Sequence, residues 1–151
     1  MALTNYDDLK ASIADFLNRD DLTAVIPDFI TLAEGQLNKE LRHWRMQDRV
    51  VSTVDSQYTA LPNNFLEPVR MVKTSGEFRI LELVGALEIS KLRQEALDTV
   101  GVPRVYTILD QAFEVFPTPD GDHTLELTYY EEIPDLATNS TNWLMTYYPS
   151  A

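Results

Sequence analysis

The fold is decided by the stretch Trp44-Arg45-Met46-Gln47-Asp48-Arg49-Val50-Val51-Ser52-Thr53-Val54, within which the hydrophobic period changes. Up to Trp44, apolar residues recur at the spacing of amphipathic helices. From Arg49 onward, β-branched residues become frequent and the apolar residues begin to alternate, which is typical of strands. The sequence therefore predicts a helical part followed by a β-rich part, which is an α+β arrangement.

Two helices are predicted before this change of period, between residue 4 and about residue 46. Thr4 followed by Asp7 resembles a capping box and opens the first helix. The polar run Asn18–Asp21 ends it, and a short turn follows at Leu22–Val25. The second helix begins at or near Pro27, because the first turn of a helix tolerates proline. The two apolar stripes are Tyr6, Leu9, Ile13, Phe16 and Leu17, then Ile26, Ile30, Ala33, Leu37, Leu41 and Trp44.

The β-rich part is predicted to be antiparallel, with one short helix inserted between its strands. The insert covers Ala86–Leu97, and Gly101-Val102-Pro103 prevents that helix from continuing. Turn residues separate the alternating runs on either side of it. These runs are Val50–Val54, Tyr58–Leu61, Pro68–Lys73, Phe78–Val84, Arg104–Leu109, Ala112–Phe116 and Thr124–Tyr130.

These patterns predict a single structural domain with three parts. The parts are a helical part over residues 1–48, a β-rich part over 49–136 with its helix near 86–97, and an aromatic C-terminal segment over 137–151. Two helices cannot close a bundle alone, so we expect the sheet or other chains to cover the far side of the second helix. The C-terminal segment is dense in aromatic residues, and exposed apolar surface of that density marks an interaction site.

The charge of the chain excludes several classes of function. Its 24 acidic and 12 basic residues give a formal net charge of −12, which disfavours non-specific attraction to nucleic acid or anionic lipid. It contains no cysteine, which excludes disulfide scaffolds and cysteine nucleophiles. No apolar run approaches the roughly 20 residues that span a bilayer, and the first residues do not form a signal peptide. We therefore expect a protein made in the cytoplasm of its producing cell, without membrane partners.

Few residues support catalysis. His43 near the end of the second helix fits a structural or surface role, since cations complement a helix C-terminus. The turn Asp120-Gly121-Asp122-His123 departs from an EF-hand loop after its third position. Glu131 and Glu132 are neighbours on a strand, so they point to opposite faces and cannot flank one bond. We expect no enzyme activity, no catalytic residues, no cofactor and no metal.

A basic cluster stands out near the change of period. Lys39, Arg42, Arg45 and Arg49 place four of the twelve cations within eleven residues. One interpretation is complementation of the helix dipole together with solubility. The other is a patch that meets an acidic partner, with Trp44 as the buried anchor of the contact. The candidate interface residues are Arg42, Trp44, Arg45, Arg49, Trp143, Tyr147 and Tyr148.

The order of several segments resembles a known family. The segments are Tyr6-Asp7-Asp8-Leu9, Ile26-Pro27-Asp28-Phe29-Ile30-Thr31-Leu32-Ala33-Glu34, Leu61-Pro62-Asn63-Asn64-Phe65, Gly101-Val102-Pro103-Arg104, Phe116-Pro117-Thr118-Pro119 and Leu125-Glu126-Leu127-Thr128-Tyr129-Tyr130. This order is similar to that of the head-to-tail adaptor, or connector, proteins of tailed bacteriophages, the group that includes tail tubular protein A-like proteins. In that group, the counterpart of Asn142–Pro149 leads into further C-terminal helices, which this sequence lacks. We expect a partner or the chain's own core to hold the segment.

The resemblance implies a structural virion protein. Such proteins assemble as a ring, typically a dodecamer, which docks on the portal protein at the capsid vertex and offers its other side to the next tail or nozzle protein. Double-stranded DNA passes through the ring without specific binding. The implied location is the neck between head and tail of the virion, after synthesis in the host cytoplasm.

Two other classes of function are weighed against the adaptor. One is a small β-rich module that binds carbohydrate or peptide by stacking on exposed aromatic rings. Its candidate surface is Tyr129, Tyr130, Trp143, Tyr147 and Tyr148. The other is a phage nuclease, which requires clustered acidic residues and a metal that the spacing does not offer.

Overall fold

The structure is a computed structural model that describes residues 3–97 and 99–149. The first two residues of the predicted 1–48 part and the last two of the 137–151 part lie outside the described residues. The chain forms two compact units. The helical unit consists of the chain up to Met46 together with the chain from Glu132 onward, and the sheet unit is Gln47–Glu131. The predicted α+β class, with a helical pair before a β-rich part and one inserted helix, is confirmed.

The helices are α1 (Tyr6–Leu17), α2 (Ile26–Glu40), α3 (Ala86–Glu95), α4 (Leu136–Asn139) and α5 (Trp143–Tyr147). The strands are β1 (Gln47–Val54), β2 (Tyr58–Ala60), β3 (Phe65–Lys73), β4 (Arg79–Leu83), β5 (Val100–Gly101), β6 (Val105–Leu109), β7 (Ala112–Phe116), β8 (Thr118–Pro119) and β9 (His123–Glu131). The predicted positions of the first helix, the inserted helix and the longer strands are confirmed, within a few residues at their ends. The two-residue strands β5 and β8 and the helices α4 and α5 were not predicted from the sequence.

The start of α1 is capped one residue later than predicted. Asn5 is the N-cap, and its side-chain oxygen accepts a hydrogen bond from the Asp8 N–H at 3.0 Å. The Asp8 carboxylate in turn accepts the Thr4 N–H at 3.2 Å. The pair that satisfies the free N–H groups is therefore Asn5 with Asp8, because asparagine is at least as good a cap as threonine.

The second helix begins as predicted and ends earlier. Pro27 lies in the first turn of α2, after a 3₁₀ turn at Asp20–Leu22. The helix ends at Glu40, because Leu41 has extended backbone angles of φ −79° and ψ 132°. Trp44 therefore lies in a separate 3₁₀ turn, Trp44–Met46, and its predicted place on the apolar stripe of α2 is wrong.

The sheet unit is built on a seven-stranded sheet with the order β1-β9-β3-β4-β6-β7-β2. Most neighbours are antiparallel, as predicted, but β4 and β6 run parallel. This follows from the inserted α3, which gives the chain the crossover that a parallel pair requires. The buried core of the sheet unit is Val54, Leu61, Met71, Leu81, Tyr106, Phe113, Val115, Leu125, Leu127 and Tyr129.

A buried ion pair attaches α3 to this sheet. Arg93 on α3 donates from Nη2 to Glu114 Oε1 on β7 at 2.9 Å. Gln57 donates to the same carboxylate oxygen at 2.8 Å. Both charged side chains are largely buried, so their mutual hydrogen bonds offset the loss of hydration.

Candidate functional site

Within the helical unit, the C-terminal segment packs against α2. The side-chain oxygen of Asn38 accepts the Ile133 N–H, and that of Glu34 accepts the Leu136 N–H, each at 2.8 Å. Ile133 and Leu136 are buried. The chain's own C-terminal segment, which was not among the expected covers of α2, thus contacts this helix.

Side-chain caps define the path of this segment. Asp135 caps α4 by accepting the Thr138 N–H at 2.7 Å, and hydrogen bonding from Thr138 lowers the pKa of Asp135. Asn142 caps α5 by accepting the Met145 N–H at 2.9 Å. The buried Asn142 amide also donates to the Pro134 carbonyl at 3.0 Å, which ties the two short helices together.

The apolar core of the helical unit links α1 and α2 with this segment. Buried residues from α2, α4 and α5 form its centre, and side chains of α1 pack against them. The buried residues are Ile26, Ile30, Leu136 and Met145, and the packed residues are Tyr6, Leu9, Ile13 and Ala14. The C-terminal segment is therefore part of the core of this unit.

Aromatic rings from both ends of the unit's sequence meet around His43. Its ring stacks on Trp143, with centroids 5.3 Å apart and planes 19° apart. Tyr148 packs edge-on against the same ring at 5.6 Å, and Trp44 lies 5.5 Å away. With Arg45 and Tyr147, these residues form what we call the aromatic–arginine cluster.

Arg45 is sandwiched within this cluster. Its guanidinium carbon lies 4.6 Å from the centre of the Trp44 ring and 3.9 Å from that of Tyr147. Both distances allow cation–π attraction. Among the residues that the structure describes, Arg45 has no carboxylate partner, and its buried Nε has no hydrogen-bond acceptor. The cluster therefore presents a positive charge that is stacked and lacks an anionic partner.

The outer rings of the cluster are open to solvent. The exposed fractions of Trp44, Tyr147 and Tyr148 are 65%, 57% and 42%. Large aromatic rings left this exposed beside an arginine have the composition of an interface hot spot. The arrangement offers stacking, apolar contact and an arginine, which suits recognition of another protein surface.

An apolar groove of about 270 Å³ lies in the same unit. Its polar lining side chains, Glu34 and Asn142, are already engaged by the C-terminal segment. Tyr148 lines the groove and also belongs to the cluster. The remaining lining residues are Leu3, Leu9, Ile13, Phe29, Ile30, Ala33, Leu37, Ile133, Leu136, Leu144, Met145 and Pro149.

Comparison with known families assigns the chain. The family model described as SU10 adaptor protein matches residues 4–151. The chain belongs to the SU10 adaptor protein family. The resemblance to phage head-to-tail adaptors is thereby confirmed, and the chain is a structural adaptor of a bacteriophage virion. The search of curated proteins found no match to the chain.

Most of the predicted interface residues come together. Trp44, Arg45, Trp143, Tyr147 and Tyr148 all belong to the aromatic–arginine cluster. Their role as an interface stays a prediction. His43, which organises the cluster, was missed, because its stacking partners are about 100 positions away and leave no local signal in the sequence.

The other two predicted interface residues lie elsewhere. Arg42 donates to the carbonyls of Asn38 and Leu41 at 3.0 and 2.7 Å, which supports its dipole-complementing interpretation. Arg49 belongs to the sheet unit, where it pairs with Glu126 at 3.5 Å. Arg42, Arg45 and Arg49, which are close in sequence, thus have different contacts.

The stacking surface of the alternative binding module is not present as predicted. Tyr129 is only 2% exposed, because it belongs to the core of the sheet unit. Its hydroxyl donates to Asn64 at 3.1 Å, and burial raises the pKa of Tyr129. Tyr129 therefore has no free face on which a sugar or peptide could stack.

The acidic side chains that the structure describes are dispersed or engaged in local contacts. The described residues contain no group of three or more His, Asp or Glu side chains placed to hold a metal ion. His123 Nε2 lies 2.6 Å from Asp120 Oδ1, as a local pair within the turn. Glu131 accepts the Asn64 amide at 2.8 Å, and burial, reinforced by the nearby Asp48, raises the pKa of Glu131.

The longest described helices, α2, α1 and α3, have 15, 12 and 10 residues. In residues 3–97 and 99–149, none has both the length and the apolar character needed to cross a bilayer.

Proposed function

We propose that the protein assembles as a dodecameric ring that joins the portal protein at the capsid vertex to the next tail or nozzle protein. The observation that carries the proposal is the family match, which covers residues 4–151. The protein acts by binding, with no catalytic step, at the neck of the virion, after synthesis in the host cytoplasm.

The exposed aromatic–arginine cluster supports assembly. A ring of identical subunits needs two different complementary patches on each subunit. Trp44 and Tyr147 are more than half exposed in the single chain. A neighbouring subunit or the portal would remove this surface from water, at roughly 25 cal/mol for each Å² of apolar area.

The acidity of the chain supports a passage for DNA. Double-stranded DNA that moves through a ring must not be gripped by its phosphates. A net charge of −12 on each subunit provides weak repulsion where a DNA-binding protein would provide lysine and arginine.

The test is the mass of the purified protein, measured by size-exclusion chromatography with light scattering, alone and with the portal ring. A ring with a mass of about twelve times 17.2 kDa, or capture in fixed ratio by the portal, is the expected result. Trp44→Ala should reduce assembly, whereas Phe78→Ala removes an exposed ring outside the cluster and should not. A chain that stays monomeric and ignores the portal would contradict the proposal.

A further inference from the structure

The helical unit carries a second exposed apolar point besides the aromatic–arginine cluster. Phe16, in the last turn of α1, is 89% exposed, and the adjacent Leu17 is also exposed. An almost fully exposed phenylalanine gains nothing from the fold of its own chain. It does provide a protruding apolar group for another surface.

Phe16 is not packed into the core of the helical unit or into the cluster, since its side chain is 89% exposed. The N-terminus of α1 is attached to the C-terminal segment, where the Tyr6 N–H donates to the Ser140 carbonyl at 2.7 Å. A rise of about 1.5 Å per residue carries Phe16 roughly 15 Å along the helix from that attachment. The chain thus offers two separate patches, which a head-to-tail contact between identical subunits requires.

The two patches have opposite charge. Asp15 beside Phe16 is exposed and, within the described residues, has no ion-pair partner. The last turn of α1 contains no basic residue, so the partial negative charge of the helix C-terminus adds to that of Asp15. In the cluster, by contrast, Arg45 is a cation that has no carboxylate partner among the described residues. Each patch therefore carries the charge that the other one lacks.

We propose that the end of α1 in one subunit docks on the aromatic–arginine cluster of a second copy of this chain, an inference that rests on the ring of the proposed function. The Phe16 ring packs against Trp44 and Tyr147 of the neighbour, and the Asp15 carboxylate pairs with Arg45. Exposed aromatic surface is buried on both sides, and the guanidinium acquires an anion while it keeps its stacked position.

One-sided variants test this pairing. Asp15→Lys/Phe16→Ser removes the α1 patch and keeps the cluster, whereas Trp44→Ala/Tyr147→Ser removes the cluster and keeps the α1 patch. All four side chains are exposed, so both variants should fold, which circular dichroism and urea unfolding would check. A matched control, Leu32→Ser, changes an exposed apolar residue of α2 that lies outside both patches.

Each variant alone should associate at least about tenfold more weakly than wild type, because one half of every contact is missing. Mixing the two variants should restore a single contact and give a 1:1 dimer of twice 17.2 kDa. Leu32→Ser should assemble as wild type does. The pairing is overturned if either variant assembles alone as wild type does, or if the mixture stays monomeric. It is equally overturned if wild type stays monomeric at about 500 µM, a concentration at which even a weak contact would be visible.

Portal capture separates this pairing from the proposed function. If the portal captures wild type and the one-sided variants still form rings, the adaptor role stands and the pairing fails. If the mixed variants form the 1:1 dimer but the portal captures no form of the chain, the pairing stands and the proposed function fails.

Discussion

Asn142 makes two hydrogen bonds that no neighbouring residue could replace. It caps α5 and also donates to the Pro134 carbonyl, from a buried position. We expect Asn142→Ala to lower the free energy of unfolding by about 1–2 kcal/mol, because both the Met145 N–H and the Pro134 carbonyl lose a partner. Urea unfolding followed by tryptophan fluorescence measures this, since Trp143 is the next residue.

The control for this prediction is Thr141→Ala, which changes an exposed neighbour and should have little effect. Asn142→Asp keeps the cap and loses the donor, so it should fall between wild type and alanine. Equal unfolding midpoints for all of these variants would show that the cap contributes nothing measurable to the stability of the unit.

Glu131 makes stability depend on pH in a direction set by its raised pKa. Burial and the Asp48 charge raise the pKa of Glu131 above its ordinary value of 4.5, so the folded state holds the proton more tightly than the unfolded state. Its contribution to stability is fully present below pH 4.5 and is lost as the pH rises through the raised value. Glu131→Gln should therefore be more stable than wild type at pH 7, while glutamine can still accept the Asn64 amide.

Denaturant midpoints between pH 4 and pH 8 check this prediction. The stabilising effect of Glu131→Gln should disappear on the acidic side, where wild type is also protonated. Glu132→Gln removes the same charge from an exposed neighbour and is the matched control. A constant difference between Glu131→Gln and wild type at every pH would contradict the assignment.

At the residue scale, the sequence predicted which side chains belong to the aromatic–arginine cluster better than it predicted which residues they contact. Arg45 and Trp44 were selected because four cations cluster around them in an acidic chain, and Trp143 because it lies in a segment dense in aromatic residues. That His43 joins them was not predictable, since its contacts depend on how the chain closes after nearly a hundred intervening residues. Arg49 was grouped with them by proximity in sequence, yet it lies on β1 in the other unit.

At the element scale, α3 is attached to the sheet by the ion pair of Arg93 with Glu114. Arg93→Met leaves the buried carboxylate without its charged partner, and we expect a loss of about 3 kcal/mol in the free energy of unfolding. Arg93→Met/Glu114→Gln removes the stranded charge and should recover part of this loss. Urea unfolding of the single and double variants measures both effects.

The exposed pair Arg49–Glu126 provides the comparison, since its arginine side chain is 71% exposed and its separation is 3.5 Å. Arg49→Met should cost less than about 1 kcal/mol, because solvent screens an exposed pair and Glu126 also contacts Arg70. If Arg49→Met and Arg93→Met lower the free energy of unfolding equally, burial does not determine how much the Arg93–Glu114 pair contributes to stability.

Elements were predictable where they were long enough to show a period. The strand β9 and the helix α1 repeat their patterns over several turns or pleats, so both were found. The strands β5 and β8 have two residues each and contain no period at all. The end of α2 was misplaced because Leu41 and Trp44 continue the apolar spacing after the backbone has left the helix.

At the scale of the whole molecule, the net charge of −12 predicts how the protein meets DNA. We expect no binding to a duplex of about 20 base pairs at 0.15 M salt, because few phosphate contacts are available to release counterions. Fluorescence anisotropy of a labelled duplex measures this, with a lysine-rich peptide as the positive control. Saturable binding of the duplex by the protein at that salt concentration would contradict a passive DNA passage.

The α+β class of the whole chain could be predicted from one change in hydrophobic period. The aromatic–arginine cluster became visible only in the three-dimensional structure. The helical and β-rich parts were predicted because burial imposes different repeats on helices and strands. The cluster was not predictable as a unit, because Trp44 and Tyr147 lie in separate parts of the sequence. The order of segments predicted the family, which depends on the whole length of the chain and not on any one motif.

The helical unit is discontinuous in sequence, and this fixes when it can be completed during synthesis. Its first helices leave the ribosome before the sheet unit, but Ile133, Leu136 and Met145, which complete its core, are made after the sheet unit. The intervening sheet unit is continuous and can fold as soon as it emerges. The helices α1 and α2 therefore lack part of their core while the sheet unit is being made, and the aromatic–arginine cluster can form only after Tyr147 and Tyr148 have been added.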